Sequence, residues 1–309
     1  MAPYFFYYIC NIMDRRTFLG IGAAGALAAA EATLEGKVPG AIKDLAKDKS
    51  LKIKFLGTGA AGGKGISGLG RRHSSILVND DFLIDFTDDS LDMIPEGLHP
   101  DTIFYTHSHR DHFQPSAALK IGIKTVYLNH SWYDVAFKAF KEEAKKKGVE
   151  MPVIIPTYFG MPVQAGEVKV TPLLANHPTD NVMEESQIYL LEKDGVRLLY
   201  ATDTSGIPGR SARCIGIDKH REGYGITALI MEATMADADD YRLYCHSSTA
   251  TVANTVRVLQ KTKRLHMPKG QKVYITHIAS SLHPSDINAT LPEPLRAAHD
   301  GLEVVFQAP

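Results

Sequence analysis

Cysteine is scarce in this chain of 309 residues, which holds only Cys10, Cys214 and Cys245. Three thiols exclude a disulfide framework and a cysteine-built zinc knuckle. A charge excess is lacking too: 34 basic residues face 35 acidic ones, for a net charge of −1. That balance offers no basic footprint for nucleic acid and no strong field to steer a charged partner. No apolar run reaches the roughly 20 residues that a membrane-spanning helix needs. Neither a repeat nor a low-complexity tract is visible. The rest is ordinary globular material, 44% apolar and 22% charged. Its length suits one large domain or two modest ones. Histidine, at 13 copies, stands out.

Residues 14–20 read Asp-Arg-Arg-Thr-Phe-Leu-Gly, and a mildly apolar, Gly/Ala-rich run follows over residues 18–30. Ala26, Ala28 and Ala30 offer cleavage sites of the A-x-A kind. Paired arginines before a weakly apolar stretch resemble a twin-arginine export signal. The resemblance implies the twin-arginine translocase as a partner and a periplasmic or otherwise exported location. That route carries folded proteins, so a metal could be loaded before export. Met13, directly before Asp14, competes with Met1 as the start. Residues 1–30 are read as this signal segment, 31–50 as a linker and 51–309 as the folded domain. After export, Cys214 and Cys245 could pair, although lone cysteines more often serve as small buried hydrophobes.

From Leu51 the texture changes. Leu51-Lys-Ile-Lys-Phe-Leu56 alternates as a strand does. Residues 75–78 and 82–85 predict two more strands, with Asn79-Asp-Asp81 as the turn. Strands are also predicted at 102–105, 125–128, 168–174, 187–191, 196–201, 273–275 and 302–306, with a buried run at 228–231. Helices are predicted over 133–147 and 247–259, the second with Val252, Val256 and Leu259 on one face. Two groups of strands with helices between them fit an α+β fold of two sheets packed face to face, helices outside.

Gly57-Thr-Gly59-Ala-Ala-Gly62 spells G-x-G-x-x-G directly after a strand. A dinucleotide site would need an amphipathic helix next. The following Gly63-Lys-Gly65-Ile-Ser-Gly68-Leu-Gly70 is too rich in glycine for one. The stretch is expected to line one wall of an active site instead.

Tyr105-Thr-His107-Ser-His109-Arg-Asp111-His112 carries the chemistry. Four metal-competent side chains in six residues, after a buried strand, are hard to explain as packing, because burying them costs heavily unless they are paired or metal-bound. Further ligands are expected at later strand ends. His177, Asp203 and His277 each stand at the carboxyl end of an apolar run. Nitrogen and carboxylate donors without thiolate suit zinc, with manganese or iron as rivals.

This order of residues resembles the metallo-β-lactamase superfamily over roughly residues 51–307, which implies a four-layer αββα sandwich. Within it the chain looks closest to the phosphoribosyl 1,2-cyclic-phosphate phosphodiesterase branch. The shared pieces are Leu56-Gly-Thr-Gly59, Val170-Thr-Pro-Leu173 running into Asn176-His177, Asp203-Thr-Ser-Gly206, Thr276-His277-Ile278, Leu291-Pro292 and Asp300-Gly301. The resemblance implies two divalent ions. His107, His109 and His177 would hold one; Asp111, His112 and His277 would hold the second; Asp203 would bridge them. Asp85 matches an aspartate that orients the metal loop from behind. Two departures bear on substrate: Thr87 replaces a smaller residue, and residues 63–70 stand where that branch has a cysteine-rich zinc site.

The function implied is an exported hydrolase acting on a small or cyclic phosphodiester through a metal-bridging hydroxide. Asp111 and His246 are the catalytic candidates. His246, in Tyr244-Cys-His246-Ser-Ser-Thr249, is the expected general acid, since seven other residues fill both metals; the bland alternative is a capping or surface histidine. A similar His-Ser-Thr pattern occurs in tRNA 3′-processing nucleases. Arg71 and Arg72 could supply anion-binding groups or simply form a solvated face. The competing activities are hydrolysis of a lactone, β-lactam or thioester on the same metals, and a cofactor-pathway metalloprotein that has lost hydrolysis. The expected partner is a small-molecule substrate, not nucleic acid.

Overall fold

Two seven-stranded mixed sheets stack face to face between outer helices. The computed structural model describes residues 49–60, 70–217, 225–236 and 239–309. The segment expected to be an export signal, most of the expected linker and most of the glycine-rich stretch lie outside these. Residues Leu45–Pro309 cluster as one unit. Among the described residues no helix is long and apolar enough to cross a membrane.

The first sheet holds β1 (Ser50–Gly57), β2 (Ser75–Val78), β3 (Phe82–Ile84), β4 (Thr102–Phe104), β5 (Thr125–Asn129), β6 (Val153–Thr157) and β14 (Glu303–Gln307). Its order is β14-β1-β2-β3-β4-β5-β6. The β2–β3 turn is tight because Asn79 and Asp80 take φ of 50° and 56°, the left-handed pair that suits a two-residue hairpin. From β3 to β6 the pairing is parallel. The second sheet holds β7 (Val163–Ala165), β8 (Val168–Leu174), β9 (Gln187–Lys193), β10 (Val196–Ala201), β11 (Ala228–Glu232), β12 (Val273–Thr276) and β13 (Leu295–Ala297), ordered β13-β12-β11-β10-β9-β8-β7. Here β10 to β13 are parallel.

Strand alternation sorts side chains between layers. Ile53, Phe55, Ile84 and Phe104 from the first sheet meet Tyr189, Leu198, Tyr200 and Ile230 from the second. The opposite faces are covered by helices. Leu77, Leu83 and Ile103 pack under α1 (Pro115–Ile121) and α2 (Tyr133–Lys147). Leu190, Leu199 and Leu229 pack under α3 (Gly209–Ile215) and α4 (Thr249–Lys261). The expected αββα sandwich is therefore the observed fold.

Several elements differ from the sequence reading. Ser50, assigned to the linker, opens β1. The helix expected from residue 247 begins at Thr249, because Ser248 accepts from the Thr251 N–H and caps it. Cys214 is exposed and Cys245 buried, both as free thiols. Elements β6, β7, β13, α1 and α3 were not anticipated.

Candidate metal centre

The parallel strands of both sheets end at one rim, the position where open α/β sheets bind ligands. β3 runs into Asp85, which adopts φ of 56° and is fully buried. Its Oδ1 accepts from the Thr106 N–H and its Oδ2 from Thr106 Oγ1, both at 2.8 Å. Oδ2 also lies 2.7 Å from His112 Nδ1. One carboxylate thus straps both ends of the loop that follows β4. Glu184 holds the middle, accepting from Ser108 N–H and Oγ at 2.7 Å each.

Two groups of donor atoms converge above this strap. His107 Nε2 lies 2.9 Å from His109 Nδ1, which lies 3.2 Å from His177 Nε2. His112 Nε2 lies 3.3 Å from His277 Nε2, and each stands 3.5 Å from Asp111 Oδ2. Asp203 sits between the groups. Its Oδ2 is 3.0 Å from His112 Nε2 and 3.2 Å from His277 Nε2, while Oδ1 is 3.8 Å from His177 Nε2. All seven residues singled out from sequence meet here. Asp203 and His277 share the left-handed backbone of Asp85, with φ of 47° and 51°. Such strain is held in place only when surroundings over-determine it.

The donor set fits divalent metal. Where the Nδ1 proton of a ring is committed elsewhere, its bare Nε2 cannot donate to a neighbouring imidazole, and a shared cation is what would hold such nitrogens together. The second ring nitrogen of four histidines already has a partner. His107 Nδ1 lies 2.9 Å from Thr106 Oγ1, His112 Nδ1 meets Asp85, His177 Nδ1 lies 3.2 Å from the Cys245 carbonyl, and His277 Nδ1 lies 2.8 Å from Thr234 Oγ1. This is how metal-binding imidazoles are oriented. Burial pushes His107 well below the ordinary histidine value and lowers His177, which keeps both neutral and able to coordinate. Burial would raise Asp111 and Asp203, but neighbouring His112 and His277 outweigh it and hold both well below the carboxylate range. These clusters of histidine and aspartate could hold metal ions.

A family model described as a beta-lactamase superfamily domain matches residues 92–278, which carry all of these ligands. The chain belongs to that superfamily. Solved structures of similar fold include a diphosphatase from the PhnP family, 22% identical with a TM-score of 0.58, covering 83% of this chain and 97% of that one. The short form of human tRNase Z is 18% identical with a TM-score of 0.58, covering 84% and 99%. Zinc-bound PqqB from Methylobacterium extorquens is 19% identical with a TM-score of 0.60, covering 82% and 99%. At these identities the likeness is one of fold. No curated protein matches the sequence.

In this superfamily member a cleft of about 300 Å³ lies over the donor atoms, lined also by Ala60, Arg242, His246 and Leu282. Ala60, within the glycine stretch, lies on this wall; residues 61–69 of the stretch lie outside the described residues. Gly57 and Gly59 are glycine for close packing: a Cβ on Gly57 would lie 1.9 Å from the His73 carbonyl oxygen.

His246 Nδ1 is 2.9 Å from Glu232 Oε1. Glu232 is fully buried at the end of β11, and accepts from the Thr204 N–H at 2.9 Å and the Thr234 N–H at 3.0 Å. Burial works against charge on His246, but Glu232 and Asp203 outweigh it and raise its pKa. Sequence reading missed Glu232, Thr234, Thr106 and Glu184. Glu232 carried a usable signal: like Asp203 and His277, it is a polar residue ending an apolar strand. Thr87, noted as a departure, is buried and donates to Asp89.

Proposed function

We propose that this chain is an exported phosphodiesterase that works with two divalent ions, zinc first, on a small or cyclic phosphodiester. His107, His109 and His177 would hold one ion, and Asp111, His112 and His277 the other. Asp203 offers one oxygen to each side. Ions bound there would supply an acidified water and neutralise charge on the substrate.

The observation that carries the reading is His246 on the wall of the same cleft, held from behind by the buried Glu232. His246 is not needed as a ligand. Glu232 occupies its Nδ1, which leaves Nε2 for the substrate. A diester's alkoxide leaving group needs a proton, and an imidazole held this way can deliver it. Asp111, which lines the cleft, would serve there as a ligand of the second ion. The diphosphatase and the tRNase Z of like fold support the choice. The test is turnover of alkyl and nitrophenyl diesters beside a lactone and β-lactam panel, with metal content measured. Turnover of diesters with about two metals per chain is expected. Lactone turnover with no diester activity would sink the proposal.

Export is part of the same proposal, supported by Arg15-Arg16 and the weakly apolar run after them. Replacing both arginines by lysine should trap a longer precursor in the cytoplasm. Unimpaired export of that variant would refute the twin-arginine route.

A further inference from the structure

A folded surface is largely apolar by necessity, so one exposed hydrophobic side chain means little, whereas several around one opening mark a contact site. Among the described residues the three most exposed large apolar side chains are Val182 at 92%, Tyr241 at 81% and Met183 at 75%. All three stand on segments anchored at the metal centre.

Tyr241 opens the helical turn Tyr241–Tyr244, whose Arg242 lines the metal cleft. Asp240 caps this turn by accepting from the Arg242 N–H at 2.9 Å. At its far end the carbonyl of Tyr244, another exposed aromatic, accepts from Asn176 Nδ2 at 3.2 Å, one residue before His177. Val182 and Met183 belong to the loop that leaves His177 toward β9. That loop is braced from within: Asn181 Oδ1 accepts from the Met183 N–H at 3.1 Å, and the Asn181 carbonyl from the Glu184 N–H at 2.8 Å. Glu184 then holds Ser108, between His107 and His109. Hydrogen bonds thus fix both segments, and their apolar side chains are held in water rather than folded inward. On the cleft itself Leu282 adds one more exposed apolar side chain.

The cations nearby are already engaged. Arg242, the only lysine or arginine on the described lining, donates through Nε and Nη2 to the two carboxylate oxygens of Asp240. Arg71 and Arg72, which the sequence offered for anions, are committed as well. Arg72 is taken by Asp92, and Arg71 by Thr58 and the Ala298 carbonyl under the charge of Asp300. Whatever part of a substrate extends past the metals therefore meets apolar surface and matched charge.

We infer that the metal cleft selects a phosphodiester with an apolar arm, an alkyl or aryl ester group of several carbons, and that Leu282, Tyr241 and Tyr244, with the Val182–Met183 loop, determine that selectivity. The inference rests on the phosphodiesterase reading for its phosphorus chemistry, and on these side chains for the arm.

The test is calorimetry of the metal-loaded protein with three simple diesters: dimethyl phosphate, dibutyl phosphate and bis(2-methoxyethyl) phosphate. The last matches dibutyl phosphate in length but carries ether oxygens. Dibutyl phosphate should bind about tenfold more tightly than either of the others, less than full burial of its added methylenes would give. Leu282→Ser, and Tyr241→Ser with Tyr244→Ser, should each bring the dibutyl-to-dimethyl ratio toward one. The ratio cancels any general loss of affinity for phosphate, and exposed positions tolerate serine. Val153→Ser, exposed at the start of β6 and so away from the carboxyl rim, should leave the ratio unchanged. Turnover of bis(p-nitrophenyl) phosphate, measured in parallel, separates the two claims. If it is absent while the dibutyl preference holds and falls in the rim variants, the phosphodiesterase reading fails and the apolar rim stands. Equal affinity for dibutyl and dimethyl phosphate, or for dibutyl and bis(2-methoxyethyl) phosphate, overturns the inference. A ratio untouched by the rim variants, or lowered equally by Val153→Ser, also overturns it. So does adsorption to phosphatidylcholine vesicles without any dibutyl preference, which would make the rim a lipid-surface contact instead.

Discussion

His246 and Glu232 act as a pair because burial makes each need the other. A fully buried carboxylate without partners would cost several kcal/mol, and Glu232 meets that need with two backbone amides, Thr234 Oγ1 at 2.5 Å and the imidazole of His246. The imidazole is thereby oriented with one nitrogen committed. Removing such an acid should slow a reaction by roughly 10²–10⁴. His246→Ala should therefore keep its metals, lose turnover on alkyl diesters, and lose much less on nitrophenyl esters, whose leaving group needs little protonation. Rates on the two ester classes and metal content together check this. Equal losses with metal missing would make His246 a ligand. At this scale the metal-competent side chains were legible because their spacing is improbable as packing. Thr106, Thr234 and Glu184 were not, since a hydroxyl or carboxylate that supports a ligand has no pattern of its own until the fold brings it near.

Elements were legible in proportion to their length and periodicity. The helix Tyr133–Lys147 and the strands Val168–Leu174 and Val196–Ala201 have the bounds expected from sequence. Each shows a period, a punctuating glycine, or both. The helix Pro115–Ile121 escaped notice because seven residues give too few turns for an apolar stripe, although its proline at the first turn and Gly122 at φ of 84° are proper start and stop signals. The strand Val153–Thr157 carries Pro156, which reads against a central strand; it lies at the sheet's edge, where proline is tolerated. The C-terminal Glu303–Gln307 pairs antiparallel with Ser50–Gly57, so the first and last strands of the domain close one sheet together.

The whole molecule depends on the site as much as the site depends on it. His107, His109, Asp111 and His112 follow a strand of the first sheet, whereas His177, Asp203 and His277 follow strands of the second. Each candidate metal group draws ligands from both, so bound ions would clamp one sheet to the other at their carboxyl rim. Without ions, buried carboxylates and histidines must balance charge among themselves. Burial opposes charge on His112, yet Asp203, Asp111 and Asp85 outweigh it and raise its pKa well above the ordinary value. A proton there stands where a cation would otherwise serve. A ligand at about a thousand times its dissociation constant stabilises the folded state by roughly 4 kcal/mol. In a domain of this size, about 1 kcal/mol shifts the melting temperature by roughly 2–4 °C. Stripping the metals with a chelator should therefore lower Tm on the order of 10 °C, and re-adding zinc should restore it. Asp203→Asn, which weakens the shared ligand, should start from a lower Tm and respond less to chelation. Calorimetric melting of loaded, stripped and reloaded protein, with metal content measured in each, provides the check. An unchanged Tm after verified removal would mean that the hydrophobic layer between the sheets holds the rim together without help from the ions.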